Sequence, residues 1–214
     1  MRRSFLFVLS MLPSVAGCQA SRPEGPAPAS PQPASTPSVV RVETVASNLE
    51  NPWGMAFLPD RRMLVTERPG RLRLVGAAGN LSAPLTGVPE VFAQGQGGLL
   101  DVALDPAFAS NRWVYLSFAE PGNGGNVAGT AVARGRLNAA ATGLEGTTVI
   151  YRQAPKVAGG NHFGSRLVFG RDGTLFITQG DRFSQRPLVQ DLSTGIGRSC
   201  ESTPTARFPP TIRS

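Results

Sequence analysis

Residues 55–75 read Met55-Ala-Phe-Leu-Pro-Asp-Arg-Arg-Met-Leu-Val-Thr-Glu-Arg-Pro-Gly-Arg-Leu-Arg-Leu-Val. Short apolar runs are divided by Pro-Asp and Pro-Gly, dipeptides that break a periodic segment and set a turn. Each run is too short for a helix and rich in strand-forming residues, so the stretch predicts strand, turn, strand, turn, strand. The same phrase returns downstream. Leu99-Leu-Asp-Val-Ala-Leu-Asp-Pro leads to Arg112-Trp-Val-Tyr-Leu-Ser-Phe and Thr130-Ala-Val-Ala-Arg-Gly-Arg-Leu, and Ser165-Arg-Leu-Val-Phe-Gly-Arg-Asp-Gly leads to Thr174-Leu-Phe-Ile-Thr-Gln-Gly-Asp. Each unit is an apolar strand, a Pro, Asp or Gly turn, and a second apolar strand ending in Thr or Ser. Corresponding strands begin near residues 54, 99 and 165, a spacing of about 45 to 66 residues that suits propeller blades with loop insertions. A β-sandwich has the same strand content; the repeated two-strand phrase favours an all-β, partial β-propeller of about three blades.

Composition agrees with many short strands joined by turns: 25 Gly and 19 Pro in 214 residues. Two cysteines, Cys18 and Cys200, cannot supply a disulfide framework or a four-cysteine zinc site. No apolar run reaches the roughly 20 residues of a spanning helix. The formal charge is +7, but residues 39–198 hold 16 basic and 12 acidic side chains, scattered without a basic run or interleaved aromatics. That pattern disfavours a nucleic-acid surface. Lys156 is the one lysine, an arginine bias that GC-rich coding produces.

The N-terminus reads as an address. Arg2 and Arg3 precede an apolar run over residues 4–13, and Val15-Ala-Gly-Cys18 follows. A basic start, a short apolar middle and small residues at its end make an export signal over residues 1–17. The last four resemble a bacterial lipoprotein box, in which Cys18 is lipidated and becomes the mature N-terminus; an ordinary secretory signal is the alternative. Acyl chains would supply a membrane hold, and Gln19 in place of Asp implies the periplasmic face of the outer membrane. Residues 18–38 are mostly Pro, Ala and Ser, with too little apolar bulk to form a core, and read as a disordered tether.

Three separated motifs carry a family resemblance. Asn51-Pro-Trp-Gly-Met-Ala-Phe-Leu-Pro-Asp, Gly95-Gln-Gly-Gly-Leu-Leu-Asp-Val-Ala-Leu-Asp-Pro and Gly159-Gly-Asn-His-Phe-Gly-Ser-Arg-Leu-Val-Phe-Gly-Arg-Asp-Gly-Thr-Leu-Phe-Ile-Thr-Gln-Gly-Asp resemble the soluble pyrroloquinoline-quinone (PQQ)-dependent aldose sugar dehydrogenases of the glucose/sorbosone dehydrogenase group. Residues 39–198 would then be the N-terminal half of a six-bladed propeller that oxidises the C1 hydroxyl of aldoses to lactones. The resemblance makes His162, the chain's only histidine, the catalytic base. An imidazole titrates near neutrality and can take a hydroxyl proton. Gln96 and Asn161 fall at the family's cofactor- and substrate-contacting positions, whereas Arg166 and Asp181 read as pairing or turn-capping residues. PQQ and Ca2+ are the implied cofactors, an aldose is the implied substrate, and the electron acceptor is undefined. The family's remaining quinone ligands and its calcium ligands come from later blades, so this chain offers no metal ligands of its own and is expected to lack activity.

From Ser199 the sequence shows no periodicity. With permitted codons, a neighbouring reading frame gives a strand, an Asp-Gly turn and an Asn-Pro-Phe ending like the family's. Residues 199–214 are therefore expected to be a frameshifted tail, with Cys200 an accident of that frame. The alternative to a sugar dehydrogenase is a non-catalytic β-propeller fragment that binds a carbohydrate or a protein partner.

Overall fold

The computed structural model describes residues 40–202 and the backbone of Thr211–Ile212. The expected export signal, Cys18, and the tether up to residue 38 lie outside the described residues. Three antiparallel sheets account for the fold. The first is β1 (Pro52–Phe57), β2 (Met63–Glu67) and β3 (Arg71–Val75), in that order. The second is β4 (Leu99–Leu104), β5 (Trp113–Pro121), β6 (Val127–Leu137) and β7 (Leu144–Arg152), with the short β8 (Val157–Ala158) pairing to β6. The third is β9 (Gly164–Phe169), β10 (Leu175–Gln179), β11 (Ser199–Ser202) and β12 (Thr211–Ile212). One helical turn, α1 (Phe108–Asn111), sits between β4 and β5, where Asp105 Oδ1 accepts the Ala107 amide at 2.9 Å.

One Thr or Ser of each second strand, penultimate in β2 and β10 and mid-strand in β5, explains how the repeats hold together. The Gly54 amide of β1 donates to Thr66 Oγ1 of β2 at 2.9 Å, Asp101 of β4 to Ser117 Oγ of β5 at 2.9 Å, and Arg166 of β9 to Thr178 Oγ1 of β10 at 2.9 Å. Two of these hydroxyls also donate across to the next sheet. Thr66 Oγ1 reaches the Leu100 carbonyl on β4 at 2.5 Å, and Ser117 Oγ reaches the Ser165 carbonyl on β9 at 2.6 Å. Buried hydroxyls need partners, and here the partners are backbone groups that the sheets leave free. Each repeat is thereby fixed in register against the following one.

Apolar alternation fills the space between sheets. Leu64, Leu72, Leu99, Val102, Leu116 and Phe118 form one core cluster between the first and second sheets. Tyr115, Val132, Tyr151, Leu167, Leu175 and Ile177 form another between the second and third. Each fully buried aliphatic side chain here contributes about 1.5–3 kcal/mol. The outward face of the first sheet carries Met55, Phe57, Met63 and Val65 beside a groove of about 630 Å3. The outward face of the third carries Val168 opposite Phe176, both exposed.

Two differences from the sequence reading stand out. β7 was not legible as a strand: Gly146 adopts φ +60° and the ladder to β6 shifts register twice, which breaks the alternation. Residues 199–202, read as aperiodic, pair along β10 with Cys200 and Ser202 turned inward. The reason is local: the open edge of β10 offers unpaired backbone groups, and Cys200, 1% exposed, is a small apolar filler against Tyr151.

Candidate active site

The β9–β10 hairpin closes at residues 170–174, so its open end carries the residues just before β9 and just after β10. That geometry brings His162 and Asp181 together across 19 positions of sequence: His162 Nδ1 lies 2.7 Å from Asp181 Oδ1. The same carboxylate oxygen accepts the Phe183 amide at 2.9 Å. The hydrogen bonds from the Phe183 amide and from the His162 ring hold the Asp181 carboxyl below its ordinary range. An ionised carboxylate only accepts, so Nδ1 is the donor in this pair, and in the neutral ring the lone pair falls on Nε2. The Phe183 ring meets the imidazole edge-on at 5.4 Å, and Arg186 Nε lies 3.9 Å from Asp181 Oδ2. The His162 side chain is 42% exposed, so a solvent-borne molecule can reach it.

The backbone at His162 is also held. Its φ is +50°, a left-handed conformation uncommon outside glycine. Gln96 Oε1 accepts the His162 amide at 2.9 Å, and the Gln96 amide donates to the Gly160 carbonyl at 2.7 Å. Those two bonds lash the loop before β4 to the loop before β9. Gly180 packs against the His162 carbonyl so closely that a Cβ there would lie 1.9 Å from the oxygen.

Trp53, Arg68, Gln96, Leu100, His162 and Phe163 line a cavity of about 370 Å3. Trp53 stands at the start of β1, Gln96 and Leu100 at the start of β4, His162 and Phe163 just before β9. The same end of the first strand in all three sheets thus converges on one space. The cavity combines a guanidinium, an amide, an imidazole and an indole, a set able to hold a planar anionic ring and a polyhydroxylated molecule beside a base. Among the described residues no group of three or more His, Cys, Asp and Glu could hold a metal ion.

Of the residues singled out by sequence, His162 and Gln96 meet at this cavity. Asn161 does not line it; its carbonyl accepts Arg182 Nε at 2.9 Å. Arg166 pairs with the nearly buried Asp101, Nη1 to Oδ1 at 2.9 Å, and stacks 4.6 Å above the Trp53 ring. Asp181 caps a turn, as expected from sequence, and has the imidazole as a second partner. Sequence reading gave no role to Trp53, Arg68 or Arg182. The position of Arg182 directly after Asp181 was the available signal.

Comparison with known proteins follows the same lines. Residues 49–211 match the family described as glucose/sorbosone dehydrogenase. The aldose sugar dehydrogenase YliI of Escherichia coli K12 is 47% identical over 176 residues, covering 82% of this chain and 47% of that protein. A crystal structure of the soluble aldose sugar dehydrogenase of Escherichia coli in its apo form superposes with a TM-score of 0.74 at 47% identity, covering 78% of this chain and 48% of the other. The PQQ-bound aldose sugar dehydrogenase of Streptomyces coelicolor superposes with a TM-score of 0.64 at 28% identity, covering 80% and 52%. The chain spans about half the length of these relatives.

Proposed function

The chain belongs to the glucose/sorbosone dehydrogenase family, and on that footing we propose that it carries the proton acceptor of a quinoprotein sugar dehydrogenase acting on the C1 hydroxyl of aldoses. The observation that carries this reading is the His162–Asp181 pair at a cavity lined also by Gln96, Arg68 and Trp53. With Nδ1 committed to Asp181, Nε2 is the nitrogen left to take the C1 hydroxyl proton as the C1 carbonyl of the lactone forms. Asp181 steadies the imidazolium so produced, as an oriented carboxylate does in other base-assisted reactions. Gln96 fixes the backbone from which the ring projects. Trp53 offers an apolar face to the sugar ring or to a planar cofactor, and Arg68 offers a cation to carboxylates.

PQQ, when bound, supplies the two-electron acceptor for the C1 hydride. The similarity to a PQQ-bound relative supports that cofactor; Ca2+ rests on the family resemblance alone. Three sheets tied by repeated hydroxyl bonds, together with the likeness to the solved relatives, support reading them as blades of a six-bladed propeller. An exported position, lipidated at Cys18 and held at the periplasmic face of the outer membrane, is part of the same proposal and rests on residues 1–38 of the sequence.

The test uses a protein in which the later blades are restored downstream of residue 198, since the 214-residue chain itself is expected to show no turnover: it is reconstituted with PQQ and Ca2+, and aldose-dependent dye reduction is compared with and without His162→Ala. General-base removal lowers turnover by about 10²–10⁴-fold. A His162→Ala variant as active as its active, restored parent refutes the assignment. Quenching of Trp53 fluorescence by PQQ reads cofactor binding without turnover, and Trp113, distant in sequence and with the Arg134 and Arg136 guanidinium carbons 4.8 and 5.1 Å from its ring centroid, serves as the reference in a Trp53→Phe control.

A further inference from the structure

Arg182 is 1% exposed, yet among the described residues its side-chain partners are neutral. Nε donates to the Asn161 carbonyl at 2.9 Å, Nη1 to the Ala128 carbonyl at 2.7 Å, and Nη2 to the Gly159 carbonyl. Its guanidinium carbon lies 3.8 Å from the centroid of the Phe163 ring. The Arg182 amide donates to the His162 carbonyl at 3.2 Å. Burial pulls its pKa down to about 10, so the group remains a cation at neutral pH.

Burying a charge without an opposite charge is unfavourable unless its hydrogen-bonding groups are well matched. An apolar side chain would fill the same volume without that penalty. What an apolar residue cannot do is bind three carbonyls that converge on one point, and a planar fork of fixed donors can. Two of those carbonyls belong to the 159–161 segment that precedes His162, and the third, at Ala128, belongs to β6 of the neighbouring sheet. Backbone conformation points to the same place. His162, Arg182 and Phe183 all have left-handed φ, at +50°, +52° and +63°. Non-glycine residues keep such angles only where surrounding contacts impose them, and clusters of them mark functional sites.

We propose that Arg182 is a positioning residue: by gathering the Gly159 and Asn161 carbonyls and anchoring them to Ala128, it holds the loop before β9 in the one conformation that brings His162 Nδ1 to Asp181. Asp181 and Arg182, adjacent in sequence, then divide one task, the first orienting the ring and the second its backbone. Its importance for turnover rests on His162 being the base, but the geometric claim does not.

Because His162 is the only histidine in the chain, its ring nitrogens give unambiguous signals in 15N-labelled protein, and their shifts report the tautomer with no cofactor present. Wild type is expected to show the Nδ1–H form in large excess. Asp181→Asn serves as the reference for a ring that has lost its orienting carboxylate. Arg182→Gln is expected to move toward an even mixture of tautomers and to approach the Asp181→Asn pattern, while Arg182→Lys, which keeps the charge but loses the fork, falls between. Wild-type shifts in a cooperatively folded Arg182→Gln protein would overturn the proposal. If that variant does not fold, Arg182→Lys provides the same comparison; if neither folds, Arg182 is a stability residue and the positioning role is rejected. A tautomer that responds to Arg182 together with undiminished turnover of His162→Ala in the active, restored protein would refute the base assignment and leave this inference standing.

Discussion

At the residue scale the decisive contact is the one between His162 and Asp181. Asp181→Asn keeps the shape but replaces an obligate acceptor by a group that also donates, so the ring loses its fixed tautomer. In the protein with the later blades restored, turnover is expected to fall by about 10²-fold or more, with KM for the aldose little changed, as read from initial rates. Gly180→Ala tests the backbone behind the base: the added methyl would fall 1.9 Å from the His162 carbonyl oxygen. The loop must shift, and a misplacement of about 1 Å at a reacting group costs about 10²-fold. Gly173→Ala, at a turn where a Cβ meets nothing within 4 Å, is the matched control, although its φ of +82° makes it mildly unfavourable. His162 stood out in the sequence because it was alone among polar and glycine neighbours. Asp181 could not be paired with it from sequence, because nothing in the residues shows that the two open ends of one hairpin meet. Arg182 was hidden for another reason: a single arginine beside an aspartate reads as solvated surface, and its burial is set by three carbonyls, two from the 159–161 loop and one from β6 of the neighbouring sheet.

At the element scale the hydroxyl ties define how one sheet joins the next. Ser117 is fully buried, accepts the Asp101 amide and donates to Ser165. Ser117→Ala leaves one backbone donor and one acceptor unpaired in the interior, a loss of about 2 kcal/mol. For a domain of this size that corresponds to a fall of about 4–8 °C in Tm, measurable by calorimetry. Ser110→Ala, at an exposed hydroxyl on α1 that donates to the Ala107 carbonyl, is expected to change stability by less than about 0.5 kcal/mol. These elements were largely visible in the sequence. Strand starts read near 54, 99 and 165 fall at Pro52, Leu99 and Gly164, because turn dipeptides mark where each repeat begins; the Ser read as the end of the second strand, Ser117, lies in the middle of β5. The missing pieces were β7, which breaks its own alternation at Gly146, and β11, whose pairing is dictated by the edge of β10 rather than by any pattern within Ser199–Ser202.

At the scale of the whole molecule, acid stability turns on Glu67. Its side chain is fully buried, and burial pushes its carboxyl up. The Arg71 hydrogen bond at 2.7 Å, the Glu50 amide at 2.5 Å and Arg73 at 3.2 Å together outweigh that effect and leave the carboxyl below its ordinary range. A depressed folded-state pKa means stability that is present above the unfolded value of 4.5 and is lost as pH falls through the lower folded one. Thermal midpoints should therefore drop on acidification below about pH 4.5, and Glu67→Gln should flatten that dependence while lowering the midpoint at neutral pH.

The outward faces of the first and third sheets have a consequence for handling the protein. Met55 and Phe57 are 60% and 64% exposed at one end, and Val168 and Phe176 are 52% and 39% exposed at the other. Patches of that kind adhere to other apolar surfaces, and two of them on opposite flanks allow one copy to touch two others, which is the geometry of open-ended growth. Light scattering should rise with concentration and fall on adding mild detergent, and charged replacements at Phe57 and Val168 should each block one direction of that growth without reaching the cavity around His162.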